Sequence, residues 1–371
     1  MIVIGMKIAI LINLFPPKRF GGTEIATYYM AKHLAQREHE VHVITSLDKG
    51  LPEESCEQGF YIHRLPRKRN PLASAFIFSI DIVRMLQKIN PDIIHVQSLD
   101  IAVPALISKR LLKIPYVLWG RGSDVYLPHW RTKLTSKTVI KDADSVLALT
   151  EGMKRAMRGI HDRDITVVPN GIELKEYTEK MQVEEVKCPP EKRILFVGRL
   201  HPIKGVPYLL QAMKLVHEKI PDVKLILVGD GEDRRQLEIL TERLAIRECV
   251  KFAGSVPHER VQGYMNQAEV FILPSISEGF PVTILEAMAC SLPIVATRAG
   301  GVPDIIRDGI NGYLVDTKNP EQIAWALLNI LENEQLRKDI SINNREEAEK
   351  YSWDKITIKL ERIYQNTLQV L

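Results

Sequence analysis

Short runs of consecutive apolar residues recur through the first half of the chain, and stretches with a helical apolar period separate most of them. The runs predict strands at Lys7–Leu14, Val41–Thr45, Tyr61–Arg64, Ile93–Val96, Tyr116–Trp119, Val146–Leu149 and Ile165–Val168. Helices are predicted from Thr23 as N-cap to about Arg37, and at Ala73–Ile89, Ile101–Leu112 and Thr135–Lys141. Because the strand runs are continuously apolar rather than alternating, the pattern is typical of a parallel sheet covered by helices on both faces.

The alternation stops at Glu173–Lys192, a charged segment without apolar periodicity that we interpret as a linker. It then restarts, with strands predicted at Arg193–Val197, Lys224–Val228, Val250–Ala253, Val270–Leu273 and Ile294–Ala296. Helices are predicted at Val206–Lys219, Ile323–Leu331, Glu334–Lys350 and Trp353–Leu368. The expected fold is α/β, with two doubly wound parallel-sheet (Rossmann-like) domains at 1–180 and 190–350 and a C-terminal helix in 351–371.

Length and composition agree with this division. A chain of 371 residues is long for one core, and 45 % hydrophobic and 26 % charged residues are ordinary for a soluble globular protein. The four cysteines lie far apart without C-x-x-C spacing, which argues against a zinc site or a disulfide framework and favours a reducing, cytoplasmic location. The apolar N-terminus carries Lys7 and is expected to be a buried strand rather than a signal peptide, and no apolar run approaches the ~20 residues of a membrane span.

The positive charge is concentrated in the first half of the chain. Residues 1–187 carry 27 Lys and Arg against 21 Asp and Glu, although the net charge of the whole chain is only +4. The excess is clustered at 64–69, 109–113 and 131–141. A basic first domain can meet an anionic membrane surface or a phosphorylated acceptor, whereas any one cluster taken alone is more simply a solvated basic face.

The most informative stretch is Pro274–Gly301, in which a strand is followed by a glycine- and proline-containing loop, a short helix and a second strand. The start of a helix attracts anions because its N–H groups are unpaired. Glu278 and Glu286 would repel a phosphate there but can accept hydrogen bonds from hydroxyl groups, so a nucleotide sugar fits both features. The alternative is that Thr283 and Glu286 form a capping box with no ligand.

A second motif, Phe196–Gly205, runs from a strand through a glycine-bounded loop into a helix. Its Arg199 and Lys204 can neutralise a diphosphate leaving group without a metal ion. No Asp-x-Asp at a strand end and no His/Cys/Asp cluster with ligand spacing is found, so neither a metal nor another cofactor is expected.

Together these motifs, EGFP-x-x-x-LEAMA-x-x-x-P-I-V-A-T followed by GG-x-P-D, and VGR-x-x-x-x-KG, resemble the donor site of the retaining family-4 glycosyltransferases of the GT-B fold (glycosyl transferases group 1). The resemblance implies two domains facing across a cleft, with the last helix crossing back to the first domain. It also implies metal-independent, retaining transfer from a UDP- or GDP-sugar to a hydroxyl of a glycan, lipid-linked or polysaccharide acceptor. No nucleic-acid partner is implied.

The resemblance assigns catalytic roles to Arg199, Lys204 and Glu278. The donor would be bound by Gly21, Gly22, Arg199, Lys204, Gly229, Val256, Glu278, Gly279, Phe280, Pro281, Val282, Thr283 and Glu286. The acceptor or sugar side would include His95, Arg121, Asp124 and Asn170. Many members of the family have histidine where this chain has Arg121, and Gln97 replaces the second histidine of a His-x-His pattern.

These two departures leave other functions open. A nucleotide-sugar epimerase of the same architecture would consume the donor without an acceptor. A non-catalytic nucleotide-sugar-binding protein would not consume it at all. Turnover of the donor with and without an acceptor distinguishes the three functions.

Overall fold

The computed structural model describes residues 5–17, 21–67, 71–178 and 192–369, with the backbone alone at 71–74 and 178. Two compact units make up the chain. Unit 1 consists of Met1–Gly171 with Trp353–Leu371, and unit 2 of Ile172–Ser352. Most of the predicted linker (179–191, with Cys188), together with Lys68 and Arg69 of the first basic cluster, lies outside the described residues.

Unit 1 is built on one sheet. Its described strands are β1 (Lys7–Leu11), β2 (Glu40–Ser46), β3 (Glu54–Glu57), β4 (Phe60–Leu65), β5 (Ile93–Val96), β6 (Tyr116–Trp119), β7 (Ser145–Ala148) and β8 (Thr166–Val167). They are ordered β3-β4-β2-β1-β5-β6-β7-β8, and neighbours are parallel except β3 and β4. Every residue of β5 and β6 is buried, as expected for strands covered on both faces.

The helices of unit 1 alternate with these strands. In chain order they are α1 (Gly22–Gln36), α2 (Pro71–Ile89), α3 (Val103–Leu112), α4 (Ser123–Tyr126), α5 (Trp130–Asp142) and α6 (Glu151–Ile160). The sheet order reverses direction between β1 and β5, because the chain proceeds outward from β1 on one side and outward from β5 on the other. Ligands of open parallel sheets bind beyond the carboxyl ends of the strands at such a point.

Unit 2 repeats this architecture with a shorter sheet. Its described strands are β9 (Lys192–Val197), β10 (Val223–Val228), β11 (Val250–Gly254), β12 (Val270–Leu273), β13 (Ile294–Thr297) and β14 (Tyr313–Val315). They are all parallel in the order β11-β10-β9-β12-β13-β14, which is the strand order of dinucleotide-binding domains. The helices are α7 (Leu174–Thr178), α8 (Val206–Lys219), α9 (Arg234–Arg243), α10 (His258–Met265), α11 (Val282–Ala289), α12 (Pro320–Glu332) and α13 (Glu334–Ala348).

The last helix, α14 (Trp353–Gln369), belongs to unit 1 and is held there by buried polar contacts. Arg37, just after α1, donates from Nε and Nη2 to the Glu361 carboxylate at 2.5 and 2.8 Å. His39 Nε2 lies 2.9 Å from the same carboxylate. One turn further on, the Tyr364 hydroxyl is hydrogen-bonded to His95 Nδ1 at 2.6 Å. The helix is therefore fixed both to α1 and to the strand β5.

The predicted fold class is confirmed, and several strands begin and end at the predicted residues, among them Ile93–Val96 and Val270–Leu273. The predicted cap of α1 is wrong. Gly21 is the N-cap, and Thr23 lies in the first turn, where its carbonyl accepts the Thr27 hydroxyl. The strand β3 was not predicted because its sequence, ESCE, has no apolar run, and it pairs only at the edge of the sheet.

The contacts of Glu361 yield a stability prediction. Burial alone would raise the pKa of Glu361, but the hydrogen bonds from Arg37 and His39 outweigh it and hold the pKa below its ordinary value of 4.5. Glu361→Gln should lower the unfolding free energy by about 3 kcal/mol at neutral pH, because it leaves buried donors badly paired. A depressed pKa contributes stability above the unfolded-state value and loses it as pH falls through the folded-state value. The difference between wild type and variant should therefore shrink below about pH 4.

Urea unfolding at neutral and acid pH, with hydrogen exchange of α14, measures this effect. Asp354→Asn on the same helix is the control, because the Asp354 side chain is 72 % exposed and lies 3.2 Å from His33. It should cost less than about 1 kcal/mol. A Glu361→Gln cost no larger than that of the control would contradict the role given to this buried cluster.

Candidate functional site

The loops that follow β9 and β12 meet at the point where the sheet order of unit 2 reverses. The two strands are neighbours, and the Ile276 N–H donates to the Ile203 carbonyl at 2.8 Å, which joins the two loops. Gly205 has φ of +65°, and a Cβ at this position would overlap the Pro274 carbonyl. Only glycine lets the backbones approach this closely. The two motifs Phe196–Gly205 and Pro274–Gly301 therefore form one site.

The structure brings two of the predicted catalytic residues into direct contact. Lys204 Nζ lies 2.6 Å from Glu278 Oε1, and the Ser275 hydroxyl donates to the same oxygen at 2.5 Å. The Glu278 side chain is 9 % exposed and that of Lys204 is 24 % exposed. The pair therefore holds an ammonium group and a carboxylate at the carboxyl edge of the sheet, partly shielded from solvent.

Arg199, the third predicted catalytic residue, lies at the more open side of this site. Its guanidinium is 69 % exposed and donates to Glu232 at 2.9 Å, and His201 lies 3.2 Å from the same carboxylate. The backbone N–H of Glu232 itself and the positive charge of Arg199 hold the pKa of the Glu232 carboxyl below its ordinary value. Neither His201 nor Glu232 was singled out from the sequence. At Gly229 the backbone approaches another segment closely, since a Cβ there would overlap the Gly198 carbonyl.

Glu286, the second acid of the motif, is buried. It lies on α11, 3.7 Å from His258 Nε2, and accepts a hydrogen bond from Tyr177. Burial raises the pKa of Glu286, while His258 and Tyr177 oppose the rise. The alternative capping box is wrong, because Pro281 is the N-cap of α11 and no side chain caps it.

The remaining donor candidates of unit 2 surround the start of α11. Phe280 and Pro281 are buried in the turn, while Gly279, Val282 and Thr283 are half-buried. Val256, half-buried, lies two residues before α10, the helix that carries His258. The first N–H groups of α11, without a side-chain cap, are available to an anion.

Among the candidates of unit 1, Gly21 and Gly22 follow β1, His95 lies within β5, Arg121 and Asp124 follow β6, and Asn170 follows β8. Gly21 and Gly22 begin α1. Burial lowers the pKa of His95 to about 3, with a further contribution from the Arg121 charge, so the imidazole is neutral. The Asp124 carboxylate accepts backbone N–H groups at 2.8–2.9 Å and so fixes the turn after β6.

Two further candidates of unit 1 are buried. Arg121 stacks on the Trp119 ring, 4.5 Å from its centroid. Asn170 follows β8, and its Oδ1 accepts no hydrogen bond from the described residues.

Two broader properties of the described residues bear on chemistry. Among them, no three or more His, Cys, Asp or Glu side chains are grouped so as to hold a metal ion. Nor does any helix of the described part have the length and apolarity required to cross a bilayer.

Two Rossmann-like units with a site of this kind define the GT-B class of glycosyltransferases. A family model for Glycosyltransferase Family 4 matches residues 20–176, and one for Glycosyl transferases group 1 matches residues 178–347. The chain belongs to the family-4 glycosyltransferases (glycosyl transferases group 1).

Relatives match over nearly the whole chain. An uncharacterised glycosyltransferase of Methanocaldococcus jannaschii is 29 % identical, covering 99 % of this chain and 100 % of its own. N-acetyl-alpha-D-glucosaminyl L-malate synthase of Bacillus anthracis is 27 % identical, with 98 % of each chain covered. Among solved structures, Anabaena HepE in complex with UDP superposes with a TM-score of 0.80 at 21 % identity, covering 99 % of this chain and all of that one.

Gly300 provides a test of the backbone constraint at this site. Its φ is +51°, and a Cβ there would overlap the Glu278 carbonyl. Gly309 also has a positive φ, +74°, but nothing lies within 4 Å of an added Cβ. We expect Gly309→Ala to cost about 1–2 kcal/mol from its left-handed backbone alone. Gly300→Ala should cost about 1–3 kcal/mol more because the Glu278 loop must move. Urea unfolding of both variants measures the difference, and equal costs would rule out the constraint.

Proposed function

We propose that this protein transfers a hexosyl group from a UDP- or GDP-sugar to a hydroxyl acceptor, with retention of anomeric configuration and without a metal ion. The observation that carries the proposal is the Lys204–Glu278 pair, 2.6 Å apart, at the point where the sheet order of unit 2 reverses. Membership of the family supports glycosyl transfer. The UDP complex of the HepE structure and the glucosaminyl group in the name of the Bacillus anthracis relative are consistent with a nucleotide-sugar donor.

The charges of unit 2 suit a nucleotide sugar. Lys204, Arg199 and the start of α11 provide positive charge for the diphosphate, which gains negative charge as the glycosidic bond breaks. When the Lys204 ammonium group binds the phosphate instead of Glu278, the Glu278 carboxylate accepts hydrogen bonds from hydroxyl groups of the transferred sugar. The more deeply buried Glu286, next to His258, accepts hydrogen bonds from the ribose hydroxyls. The carboxylates therefore bind hydroxyl groups and do not act as the acid pair of a glycosidase.

Retention is proposed by analogy with the family, and the site residues are assigned to it as follows. Glu278 is paired with Lys204 and Ser275, and Glu286 with His258 and Tyr177. Both acids are assigned to binding hydroxyl groups, and neither is assigned the role of nucleophile. In the proposed reaction the bond from the anomeric carbon to phosphate breaks, and the acceptor oxygen attacks the same face. The departing phosphate takes the proton of the acceptor hydroxyl. Lys204 and Arg199 stabilise the phosphate throughout.

Replacing Lys204 tests the assignment. Lys204→Met should reduce kcat by about 10²- to 10³-fold, because a preorganised cation opposite the developing charge is lost. The fold should persist, since the site lies at the edge of the sheet. Release of UDP or GDP from the corresponding sugar nucleotides, with and without glycan acceptors, measures the effect. Lys214→Met, at an exposed position of α8, is the matched control.

The same assay examines the other parts of the proposal. Turnover should survive EDTA, and NMR of the product should show the donor's anomeric configuration. A loss of turnover in EDTA would contradict the metal-free mechanism. Consumption of donor without acceptor would indicate an epimerase, and binding without consumption a non-catalytic protein. Unchanged turnover in Lys204→Met would contradict the role proposed for Lys204.

A groove in unit 1 suits a lipid-linked acceptor at an anionic membrane surface. It has a volume of about 430 Å³ and lies among α2, α3 and α5. Phe76, Trp130 and Leu134 line it and are 69 %, 57 % and 72 % exposed. Lys133 and Lys137, both exposed, are neighbours on α5. Apolar side chains beside lysines are the combination that binds the interface of an anionic bilayer.

In the basic cluster at 109–113, two of the three cations are paired with acids of unit 1. Lys109 lies 2.8 Å from Asp144, and Arg110 lies 3.3 Å from Asp142. Its charge is therefore largely neutralised within the protein, as the interpretation of a solvated face predicts. The groove among α2, α3 and α5 is therefore a better candidate for the membrane-binding surface than the cluster at 109–113. We propose that the protein associates peripherally with the cytoplasmic face.

Vesicle binding tests this proposal. Trp130→Ser combined with Leu134→Ser should weaken binding to mixed phosphatidylcholine–phosphatidylglycerol vesicles by about 10-fold or more, because apolar area no longer leaves water. Leu111→Ser is the control, since Leu111 is 71 % exposed on α3 beside Lys109 and Arg110. Sedimentation with vesicles measures binding, which should also weaken at high salt. An equal effect of both changes, or no binding by the wild type, contradicts this surface.

A further inference from the structure

The turn after β6 contains a cation that no other group of the described chain binds. Arg121 is only 8 % exposed, and its Nε, Nη1 and Nη2 are all buried without a hydrogen-bond partner among the described residues. The guanidinium lies over the face of Trp119, 4.5 Å from the ring centroid. Burying a guanidinium in this way is expensive, because water is lost and five N–H donors remain unsatisfied.

The Asp124 carboxylate, whose charge acts on Arg121, forms no hydrogen bond with its guanidinium. Asp124 Oδ1 accepts the backbone N–H groups of Arg121 and Gly122 at 2.9 and 2.8 Å, and Oδ2 accepts that of Leu99 at 2.9 Å. Both oxygens are thus used to hold the turn. Burial lowers the pKa of Arg121 to about 10, and the charges of Asp124 and Glu24 oppose the shift only in part. The guanidinium stays charged at neutral pH.

A second unpaired donor accompanies Arg121 at this position. Trp119 Nε1, a donor only, is also buried without a partner among the described residues. Trp119 ends β6 and Arg121 follows it, and β6 is the neighbour of β5, the strand that flanks the reversal of the sheet order in unit 1. A charged fork of donors at such a position matches the oxygens of an acid group.

We propose that Arg121 is the residue with which unit 1 selects a substrate carrying an acidic group, a carboxylate or a phosphate monoester. The group belongs to the acceptor or to the transferred sugar, not to the donor's diphosphate, for which unit 2 has Arg199 and Lys204. The inference rests on the proposed function in that it takes the substrates to be those of a glycosyltransferase. It adds that one of them is acidic.

The test compares acidic with neutral probes in three variants. Arg121→Met keeps the length of the side chain without the charge, and Arg121→Lys keeps the charge without the fork. Arg84→Met is the control, because Arg84 is 75 % exposed on α2. The acceptor arm measures binding of glucose, glucuronate and glucose 6-phosphate by calorimetry. The donor arm compares UDP-glucose with UDP-glucuronate, and GDP-mannose with GDP-mannuronate.

The wild type should prefer the acidic member in one of the two arms, which also identifies the source of the group. Arg121→Met should reduce that preference about 10- to 100-fold, as expected for lost charged hydrogen bonds. Arg121→Lys should retain part of it, and Arg84→Met all of it. The melting temperature of ligand-free Arg121→Met should not fall, because an unpaired buried charge has been replaced by an apolar side chain.

Three results would overturn the inference. They are no acid preference in the wild type, an unchanged preference in Arg121→Met, and equal weakening of UDP or GDP itself, which would assign the group to the diphosphate. A lower melting temperature with an unchanged preference would show a structural role. The failure of the proposed function looks different: neither UDP nor GDP would raise the melting temperature. The acceptor arm needs no nucleotide and still reports on Arg121.

Discussion

The site of unit 2 depends on backbone segments that approach too closely for any side chain. Gly205 lies against the Pro274 carbonyl, Gly229 against Gly198, and Gly300 against Glu278. These contacts draw the loops after neighbouring strands onto one another, and so bring Lys204 within 2.6 Å of Glu278 although 74 residues separate them. The ion pair follows from the close approach of the backbones. The three glycines are therefore as much a part of the site as the charged side chains.

Much of this architecture was predictable because it is encoded locally. Runs such as Val270–Leu273 are apolar at every position, and the turn-formers that follow them mark where each strand ends. Since the carboxyl ends of parallel strands share one edge, the residues after β9 and β12 were expected to lie near each other. The catalytic roles of Arg199, Lys204 and Glu278 came instead from the resemblance of their motifs to the family, and they stay predictions.

What the sequence did not predict depends on tertiary packing. Thr283 and Glu286 have the spacing of a capping box, but the helix begins at Val282 and Glu286 pairs instead with His258, 28 residues earlier. Nothing local to His258 or Tyr177 indicates that they face a buried carboxylate. The strand β3 is likewise defined by its neighbour β4 rather than by its own polar sequence. Local rules fail where a distant partner provides the decisive contact.

The two units treat their buried charges in opposite ways. In unit 2, Lys204 and Glu278 neutralise each other, so a ligand must exchange one set of charged hydrogen bonds for another. In unit 1, the Asp124 carboxylate accepts hydrogen bonds from the backbone of its own turn. Arg121 lies over the ring of Trp119 and, among the described residues, has no carboxylate hydrogen-bonded to its guanidinium. A satisfied pair needs no ligand to be stable, whereas an unsatisfied buried cation gains free energy from any anion that reaches it. The selectivity of unit 1 should therefore be governed by charge more strongly than that of unit 2, for which we propose hydroxyl recognition by Glu278 and Glu286 in addition to the binding of phosphate.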